Sequence, residues 1–307
     1  MKKLIHKLLI GNAIFKEFPA ISIDENAINE KVFIEIDNTK IEVSKSHWLL
    51  SLEPMVFGVW LSKDNPTIDK KTKCTLYFNS KRNETVAVLR LIFTNSIKEN
   101  EGKLYLFEVK KSSLFYFNLF KIWLIYEIYY RKPKQSFLQF KNLVTAFSYP
   151  RKVRLVSFKQ DKYINLFPMD LIGDIPDNNR FVFGLRHFNA TLGKIIEEKK
   201  IVVIEFPYFL KDVIYKLSDH HSSNSVNIDE LPFKAVSSEL FGFPVPEWTI
   251  NYKEIKIKKT LNLGSHMLLW GESMNDFVVN ENENSLFHIH FVNYLYQKDT
   301  NFEYNLV

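Results

Sequence analysis

The chain has 307 residues but only one cysteine, Cys74, and only nine glycines. A single cysteine excludes an internal disulfide and every zinc or iron–sulfur site built from several cysteines, and it favours a reducing, cytoplasmic setting. The glycines never form a G-x-G-x-x-G or a G-x-x-x-x-G-K pattern, so the dinucleotide-binding and phosphate-loop fingerprints are absent. G-x-S-x-G and H-E-x-x-H are absent too, which removes the anchors of the common hydrolase and zinc-protease motifs.

The composition is that of a globular protein, with 46% hydrophobic and 25% charged residues. An aromatic share of 15% beside so few glycines favours β-rich packing around large side chains. The net charge of +6 is spread along the chain, so we expect no nucleic-acid partner. The densest basic segment, Lys253–Lys259, alternates apolar and charged residues and predicts a strand with one solvated face. Cys74 lies in a strand-like run and is expected to be buried and unreactive.

The most apolar stretch spans residues 114–130. Asn118, Lys121 and Glu127 interrupt it, and it is short for a membrane span, so we predict a helix packed against the rest of the protein. A helix that touches a membrane surface is the weaker alternative, and membrane contact is not expected. At the N-terminus, polar residues interrupt the apolar run of residues 1–10 and no small-residue cleavage site follows, so no signal peptide is expected.

Alternating apolar residues and turn signals predict β-hairpins in the first part of the chain. Val32–Ile36 pairs with Lys40–Val43 in this prediction, and Thr85–Thr94 pairs with Lys103–Val109. The basic residues and the proline at 131–134 are typical of a helix end.

We therefore predict two regions, a β-rich region at 1–131 that ends in the aromatic helix and a second domain at 148–307. The second domain is predicted to contain strands at 152–158, 163–167, 180–185, 201–206, 253–261, 266–270 and 286–292, a helix at 189–198 and another that starts near Pro207.

One segment of the second domain has the pattern of a phosphate site. A strand ends at Leu185, Arg186 follows, and a helix opens at Asn189, which is a good N-cap residue. Free backbone N–H groups, the positive helix end and a guanidinium would then surround one small space, and the Thr191 hydroxyl would add a donor. The bland alternative is an ordinary capped helix with a surface arginine.

Two pairs of histidines lie outside that segment, and neither is predicted to bind a metal. His288 and His290 lie two apart in a predicted strand and would face the same way, but no third ligand is implied nearby, so no metal site is expected. His220 and His221 lie in a polar loop and are predicted to be on the surface.

The order of several segments resembles the flavin reductase-like family, the FMN-binding split β-barrel, over residues about 148–280. The segments that carry the resemblance are Val153–Phe158, Tyr163–Asp170, Ile175-Pro176, the strand to Leu185, Asn189–Thr191 with Ile195, and Gly264–Glu272. The resemblance implies a mainly β fold with a few helices (α+β), a split barrel that follows the N-terminal β-rich region, and a homodimer.

The resemblance also implies a cofactor site and an activity. FMN would be held by the loop after Asn165, by the segment with Asn189 and Thr191, and by residues around His266. With Arg186 added on physical grounds, the predicted cofactor-binding residues are Asn165, Pro168, Met169, Asp170, Arg186, Asn189, Thr191, Ser265 and His266. No catalytic side chain is assigned, because the flavin ring would carry hydride or electrons from NAD(P)H to an acceptor.

One residue of that set argues for an alternative. Small hydroxyl residues usually stand in the family where this chain has Met169 and Asp170, and a carboxylate would repel a phosphate unless it is paired or turned away. The alternative function is therefore a non-catalytic split-barrel binding module that has lost flavin binding. A yellow protein that nicotinamide nucleotides bleach would favour the enzyme, and a colourless one the module.

Overall fold

The structure is a computed structural model that describes residues 9–11, 13–131, 136–176, 178–280, 283–300 and 304–307. The predicted mainly β fold with a few helices is confirmed. Two of the segments interpreted above, the apolar start at residues 1–8 and the helix end at residues 132–134, lie outside the described residues.

Eight of the described strands lie in the first part of the chain, and seven of them form one antiparallel sheet in the order β3-β2-β6-β7-β8-β5-β4. The strands are β1 (Ala20–Ile23), β2 (Lys31–Ile36), β3 (Thr39–Glu42), β4 (His47–Leu52), β5 (Met55–Ser62), β6 (Cys74–Asn79), β7 (Thr85–Lys98) and β8 (Gly102–Leu114). Both predicted hairpins are present. The β2–β3 turn is tight because Asp37 and Asn38 adopt positive φ angles of 44° and 78°, the backbone that a two-residue hairpin turn requires.

Twelve strands follow, and seven of them form a second antiparallel sheet that curls into a half-barrel in the order β11-β10-β14-β17-β18-β13-β12. The strands are β9 (Arg151–Lys152), β10 (Arg154–Gln160), β11 (Tyr163–Met169), β12 (Ile172–Asp174), β13 (Arg180–Arg186), β14 (Lys200–Glu205), β15 (Ala235–Ser237), β16 (Pro244–Pro246), β17 (Asn251–Asn262), β18 (His266–Val278), β19 (Ser285–His288) and β20 (Asn305–Leu306).

A third sheet, in the order β20-β1-β19-β9, joins the beginning of the described chain to its end. β1 comes from the predicted first region, and the other three strands come from the predicted second domain. Strands of both predicted parts thus share hydrogen bonds in this sheet. The division into two regions between residues 131 and 148 remains a prediction.

Five α-helices are described, and three predictions assign residues near them to the wrong element. The helices are α1 (Leu119–Ile125), α2 (Phe137–Ala146), α3 (Leu192–Glu198), α4 (Lys211–Tyr215) and α5 (Phe291–Asp299). The predicted helix 114–130 starts only at Leu119, because Leu114 still pairs in β8 and the Asn118 side chain caps the helix. A π-helical turn, Tyr126–Tyr130, continues it.

The other two differences concern the histidines and the predicted phosphate segment. The predicted strand 286–292 ends at His288, and His290 instead caps α5 by accepting a hydrogen bond from the Val292 N–H. His288 and His290 therefore do not share a strand face. The helix predicted from Asn189 begins at Leu192, so α3 is only seven residues long.

The two seven-stranded sheets pack on each other through β4. Its neighbours in the second sheet are β12, β13 and β18. One cluster of buried side chains draws on both sheets: Trp48, Leu50, Val56, Trp60, Ile97, Leu104 and Leu106 from the first, and Ile175, Val182, Leu263, Leu268 and Trp270 from the second. Because this cluster is shared, each sheet buries apolar surface that it would otherwise expose to water.

The described residues contain no helix that is long and apolar enough to cross a membrane. Cys74 is a free, buried cysteine, and burial raises the pKa of its thiol to about 12. This agrees with the prediction of an unreactive cysteine, because the thiolate is the nucleophilic form.

Candidate functional site

A cleft of about 340 Å³ opens where β11 and β13 end and β18 begins. Its volume lies within the range of small-molecule sites. Its walls combine apolar side chains with histidine, arginine, aspartate and tyrosine side chains. The lining residues are Leu52, Val153, Pro168, Met169, Asp170, Leu171, Leu185, Arg186, Phe188, Tyr215, Ser218, His221, His266 and His288.

Five of the nine residues predicted from the sequence to bind a cofactor line this cleft. They come from three separate strands or strand ends and are Pro168, Met169, Asp170, Arg186 and His266. The other four, Asn165, Asn189, Thr191 and Ser265, stand behind the wall and hold residues or loops that form it.

Asn165 and Thr191 are fully buried and bond to each other. The Asn165 amide donates to the Thr191 hydroxyl at 2.7 Å and to the His220 carbonyl at 2.9 Å. The Thr191 hydroxyl also lies 3.0 Å from the Tyr163 hydroxyl. The predicted contact between the Thr191 hydroxyl and a phosphate is therefore not what this geometry offers. Both residues instead tie β11 and the start of α3 to the loop that carries His221.

Asn189 and His221 form a bonded pair at the cleft wall. Asn189 accepts a hydrogen bond from the Thr191 N–H and donates from its amide to His221 Nδ1 at 2.9 Å. His221 Nε2 donates to the Pro168 carbonyl, also at 2.9 Å. Both ring nitrogens are thus used in the neutral form, and burial, the main cause, lowers the pKa of His221. His221 was predicted to lie on the surface, and that prediction is wrong, because its ring is part of the wall.

His266 stands at the first position of β18, opposite Arg186 at the last position of β13. The Ser265 hydroxyl lies 2.8 Å from His266 Nδ1 and accepts the Glu53 N–H at 2.9 Å. We assign the Ser265 hydroxyl as the donor to His266 Nδ1, which places the ring proton on Nε2. Among the described residues, Nε2 has no hydrogen-bond partner. Burial, with the Arg186 charge added, lowers the pKa of His266 to about 4. At neutral pH this residue is therefore an uncharged donor.

A hydrogen-bonded chain of three polar side chains forms another part of the cleft. Tyr215 on α4 places its hydroxyl 2.6 Å from His288 Nε2, and His288 Nδ1 lies 2.9 Å from an Asp170 carboxylate oxygen. Burial disfavours the Asp170 charge, but the His288 bond and the nearby Arg151 charge together lower its pKa. Burial, with the Asp170 charge beside it, raises the pKa of Tyr215 above its ordinary value. The arrangement holds a proton on Tyr215 Oη at the cleft wall.

Arg186 and Phe188 are exposed at the edge of the cleft. The Arg186 guanidinium carbon lies 5.2 Å from the centre of the Phe188 ring, and Phe188 is 65% exposed. A guanidinium over an aromatic face keeps its donors free for an anion while the ring offers a stacking surface.

Sequence reasoning missed most of the apolar wall as well as Tyr215, Ser218, His221 and His288. Tyr215, Ser218 and His221 lie in the long segment between β14 and β17, where the sequence has no recognisable motif. Leu52 comes from the first sheet, more than a hundred residues away in the chain. The described residues contain no group of three or more His, Cys, Asp or Glu placed to hold a metal ion.

Comparisons with known proteins show partial similarity to flavoproteins. No family model and no curated protein matches the chain. Among solved structures, the FMN-binding protein from Thermus thermophilus with bound p-hydroxybenzaldehyde is 17% identical, with a TM-score of 0.42 over 47% of this chain and 84% of that one. The NADH:FAD oxidoreductase SgcE6 of Streptomyces globisporus C-1027 is 14% identical, with a TM-score of 0.45 over 51% of this chain and 90% of that one.

A third such structure is BorF, the flavin reductase component of a bacterial two-component tryptophan halogenase. It is 12% identical, with a TM-score of 0.41 over 47% of this chain and 93% of that one. Each match thus leaves about half of this chain without a counterpart. At these identities and scores the similarity concerns the fold and supports no conclusion about activity.

Proposed function

We propose that the cleft binds FMN and that the protein is a flavin-dependent oxidoreductase, which takes hydride from NADH or NADPH and passes electrons to an acceptor. The observation that carries the proposal is that residues from separate segments meet in one cleft. Pro168, Met169, Asp170, Arg186 and His266 were selected from the sequence in three separate segments, and all five line one cleft.

The side chains of the cleft fit an FMN molecule. Arg186 at the exposed edge suits the phosphate, because a guanidinium donates to phosphate oxygens in a planar fork. Leu52 and Leu171 offer apolar surface to a flat ring, and His266 Nε2 offers a neutral donor.

One contact supports FMN binding despite the residue that argued against it. Asp170 is the carboxylate that would repel a phosphate, but it is paired with His288 at 2.9 Å and its side chain is only 20% exposed. The hydrogen bond fixes the position of this carboxylate, and the nearby Arg151 charge offsets part of its field.

When bound, FMN would supply the hydride and electron transfer, and the protein would supply binding, orientation and protons. Tyr215 is the residue through which protons would reach the cleft. Its hydroxyl would give its proton to the reduced acceptor and regain one from solvent, while Asp170 holds His288 Nδ1 and so keeps His288 Nε2 against the tyrosine oxygen.

Visible absorption spectroscopy of the purified protein with added FMN tests the proposal. We expect a bound-flavin spectrum that is bleached by NADH or NADPH in the absence of oxygen. A protein that takes up no FMN at saturating concentration contradicts the proposal and favours the non-catalytic binding module.

The variant Arg186→Ala tests the phosphate contact. Because a hydrogen bond from a charged donor contributes about 1.5–3 kcal/mol, FMN affinity should fall roughly 10- to 150-fold. Arg90→Ala is the matched control, because Arg90 is an exposed arginine on β7, outside the cleft. Equal FMN affinity in Arg186→Ala and in the control would exclude Arg186 as the phosphate ligand.

A further inference from the structure

The two seven-stranded sheets have the same topology. We label the strands of each sheet a to g in chain order, so that unit 1 contains β2 to β8 and unit 2 contains β10 to β14 followed by β17 and β18. Both sheets then have the order b-a-e-f-g-d-c, and every neighbouring pair is antiparallel. Seven strands can be arranged in very many orders, so an identical order is strong evidence of a repeat.

The register of strand g against its two neighbours, strands d and f, agrees between the units. In both units the last residue of strand d pairs with the first residue of strand g: Ser62 with Gly102, and Arg186 with His266. Strand f has a bulge opposite the fifth residue of strand g in each unit, at Thr94 and at Lys258.

The second bulge of the f–g pair lies on strand g, at its ninth residue in each unit: Lys110 in unit 1 and Met274 in unit 2. Bulges change the bend and twist of a strand and are specific features of a fold. Two bulges at the same two places show that the hairpins correspond in detail and not only in order.

The units meet face to face around equivalent strands. Trp60 of unit 1 stacks on Trp270 of unit 2, with ring centres 6.1 Å apart and planes 25° apart. Close approach depends on glycines of unit 2: a Cβ on Gly184 would lie 1.9 Å from the Leu50 carbonyl oxygen, and one on Gly173 would lie 1.8 Å from Trp48 Nε1. Such close backbone contact is typical of a permanent interface.

We propose that this chain is a tandem repeat of one seven-stranded unit, in which unit 1 occupies the place of a second copy and completes the ligand cleft of unit 2. The chain then needs no second copy to form the site, and it holds one ligand. In this proposal the pairing that the resemblance implies between two copies takes place inside one chain.

Unit 1 contributes to the cleft through the turn between β4 and β5. Leu52 lines the cleft directly. Glu53 exchanges two hydrogen bonds with Ser265: its N–H donates to the Ser265 hydroxyl, and its carbonyl accepts the Ser265 N–H at 2.6 Å. Ser265 in turn orients His266. Unit 1 therefore sets the position of a cleft residue that belongs to unit 2.

The equivalent place in unit 1 does not carry the same groups. Ser62 stands where unit 2 has Arg186, and Gly102 stands where unit 2 has His266. A Cβ on Gly102 would lie 2.3 Å from the Leu61 carbonyl oxygen, so a histidine does not fit there. The segment between strands e and f runs only from Asn79 to Thr85, whereas in unit 2 the longer segment supplies Tyr215 and His221.

A disulfide test decides the pairing without any flavin. Ser51 Oγ and Ser265 Oγ lie 3.3 Å apart across the two units, so the sulfur atoms of cysteines at these two positions would be close to each other. After mild oxidation, the double variant Ser51→Cys/Ser265→Cys should give a cross-linked single chain on a non-reducing denaturing gel. Ser51→Cys alone is the control. A covalent dimer, or no cross-link at all, would overturn the pairing within one chain.

A binding test addresses completion of the cleft and rests on the proposed function. Leu52→Trp, which enlarges the wall that unit 1 provides, should weaken FMN binding at least tenfold. Ser62→Trp is the control. It adds the same side chain to the exposed position of unit 1 that corresponds to Arg186, and it should leave the affinity within twofold of the wild type. Equal affinities for both variants would overturn the role of unit 1.

The two failures are distinguishable. A wild-type protein that binds no FMN contradicts the proposed function, and the disulfide result then decides by itself whether the two units pair within one chain. A wild-type protein that binds two FMN molecules per chain overturns the single site and leaves the proposed function intact.

Discussion

At the scale of the residue, Tyr215 offers the sharpest test of chemistry. If its hydroxyl passes protons to an acceptor, Tyr215→Phe should slow the NAD(P)H-dependent reduction of a quinone, which takes up protons, by about 100-fold. Reduction of ferricyanide, which takes up electrons alone, should be unchanged. Tyr163→Phe is the matched control, because that hydroxyl bonds to Thr191 behind the wall. Equal loss with both acceptors would mean that Tyr215 has another role.

His290 predicts how stability depends on pH. Its Nδ1 accepts the Val292 N–H, and burial lowers its pKa from 6.5 to about 3. The unfolded chain therefore takes up a proton below about pH 6.5 while the folded chain does not, so stability is lost as the pH falls from about 6.5 towards 3. The slope per such histidine approaches about 1.4 kcal/mol per pH unit.

The variant His290→Asn keeps a capping acceptor but removes the titrating ring. Urea unfolding at pH 7, 6, 5 and 4 should show a slope that is smaller by roughly that amount per pH unit. His187→Asn changes an exposed histidine and serves as the control. If both variants keep the wild-type slope, His290 is not a neutral buried group.

At the scale of the element, two glycines should respond in opposite ways. Gly193 lies in α3 with nothing within 4 Å of an added Cβ, so Gly193→Ala should raise the free energy of unfolding by about 0.5–1 kcal/mol. Gly184 on β13 faces the Leu50 carbonyl, so Gly184→Ala should lower it by about 3 kcal/mol. Urea unfolding of both variants measures the difference. Similar effects for the two would contradict the close packing of β4 on β13.

The elements also show how much could be predicted from the sequence. Hairpins with polar turns, such as Lys31–Ile36 with Thr39–Glu42, were predictable because alternation and turn chemistry are local. The boundary errors at Leu119 and at His290 have one cause: an aromatic or β-branched run suits both a strand and a helix, and neighbouring elements decide between them. The predicted residues of the cleft lie where β11 and β13 end and where β18 begins. Those that were missed lie in the motif-free segment after β14, in the first sheet at Leu52, and at His288.

At the scale of the whole molecule, the shared core predicts cooperative unfolding. Side chains of both seven-stranded sheets form one buried cluster, and Trp60 and Trp270 stack across it. Tryptophan fluorescence and far-ultraviolet circular dichroism should therefore report the same urea midpoint, because neither sheet keeps its apolar face covered without the other. Two separate transitions would show instead that the two regions fold independently.

The sequence by itself determined the mainly β class, most strands and the buried cysteine, because these depend on composition, alternation and local turn chemistry. Of the five predicted residues that line the cleft, Arg186 followed from the pattern around it, and the other four are what the family resemblance implied. Only the tertiary structure decided which residues meet. The pairing of β4 with the second sheet, the position of Leu52 and the chain from Asp170 through His288 to Tyr215 depend on contacts between distant segments. The two units correspond in strand order and in the positions of their bulges. Backbone hydrogen bonds set these features, so the units do not need the same side chains.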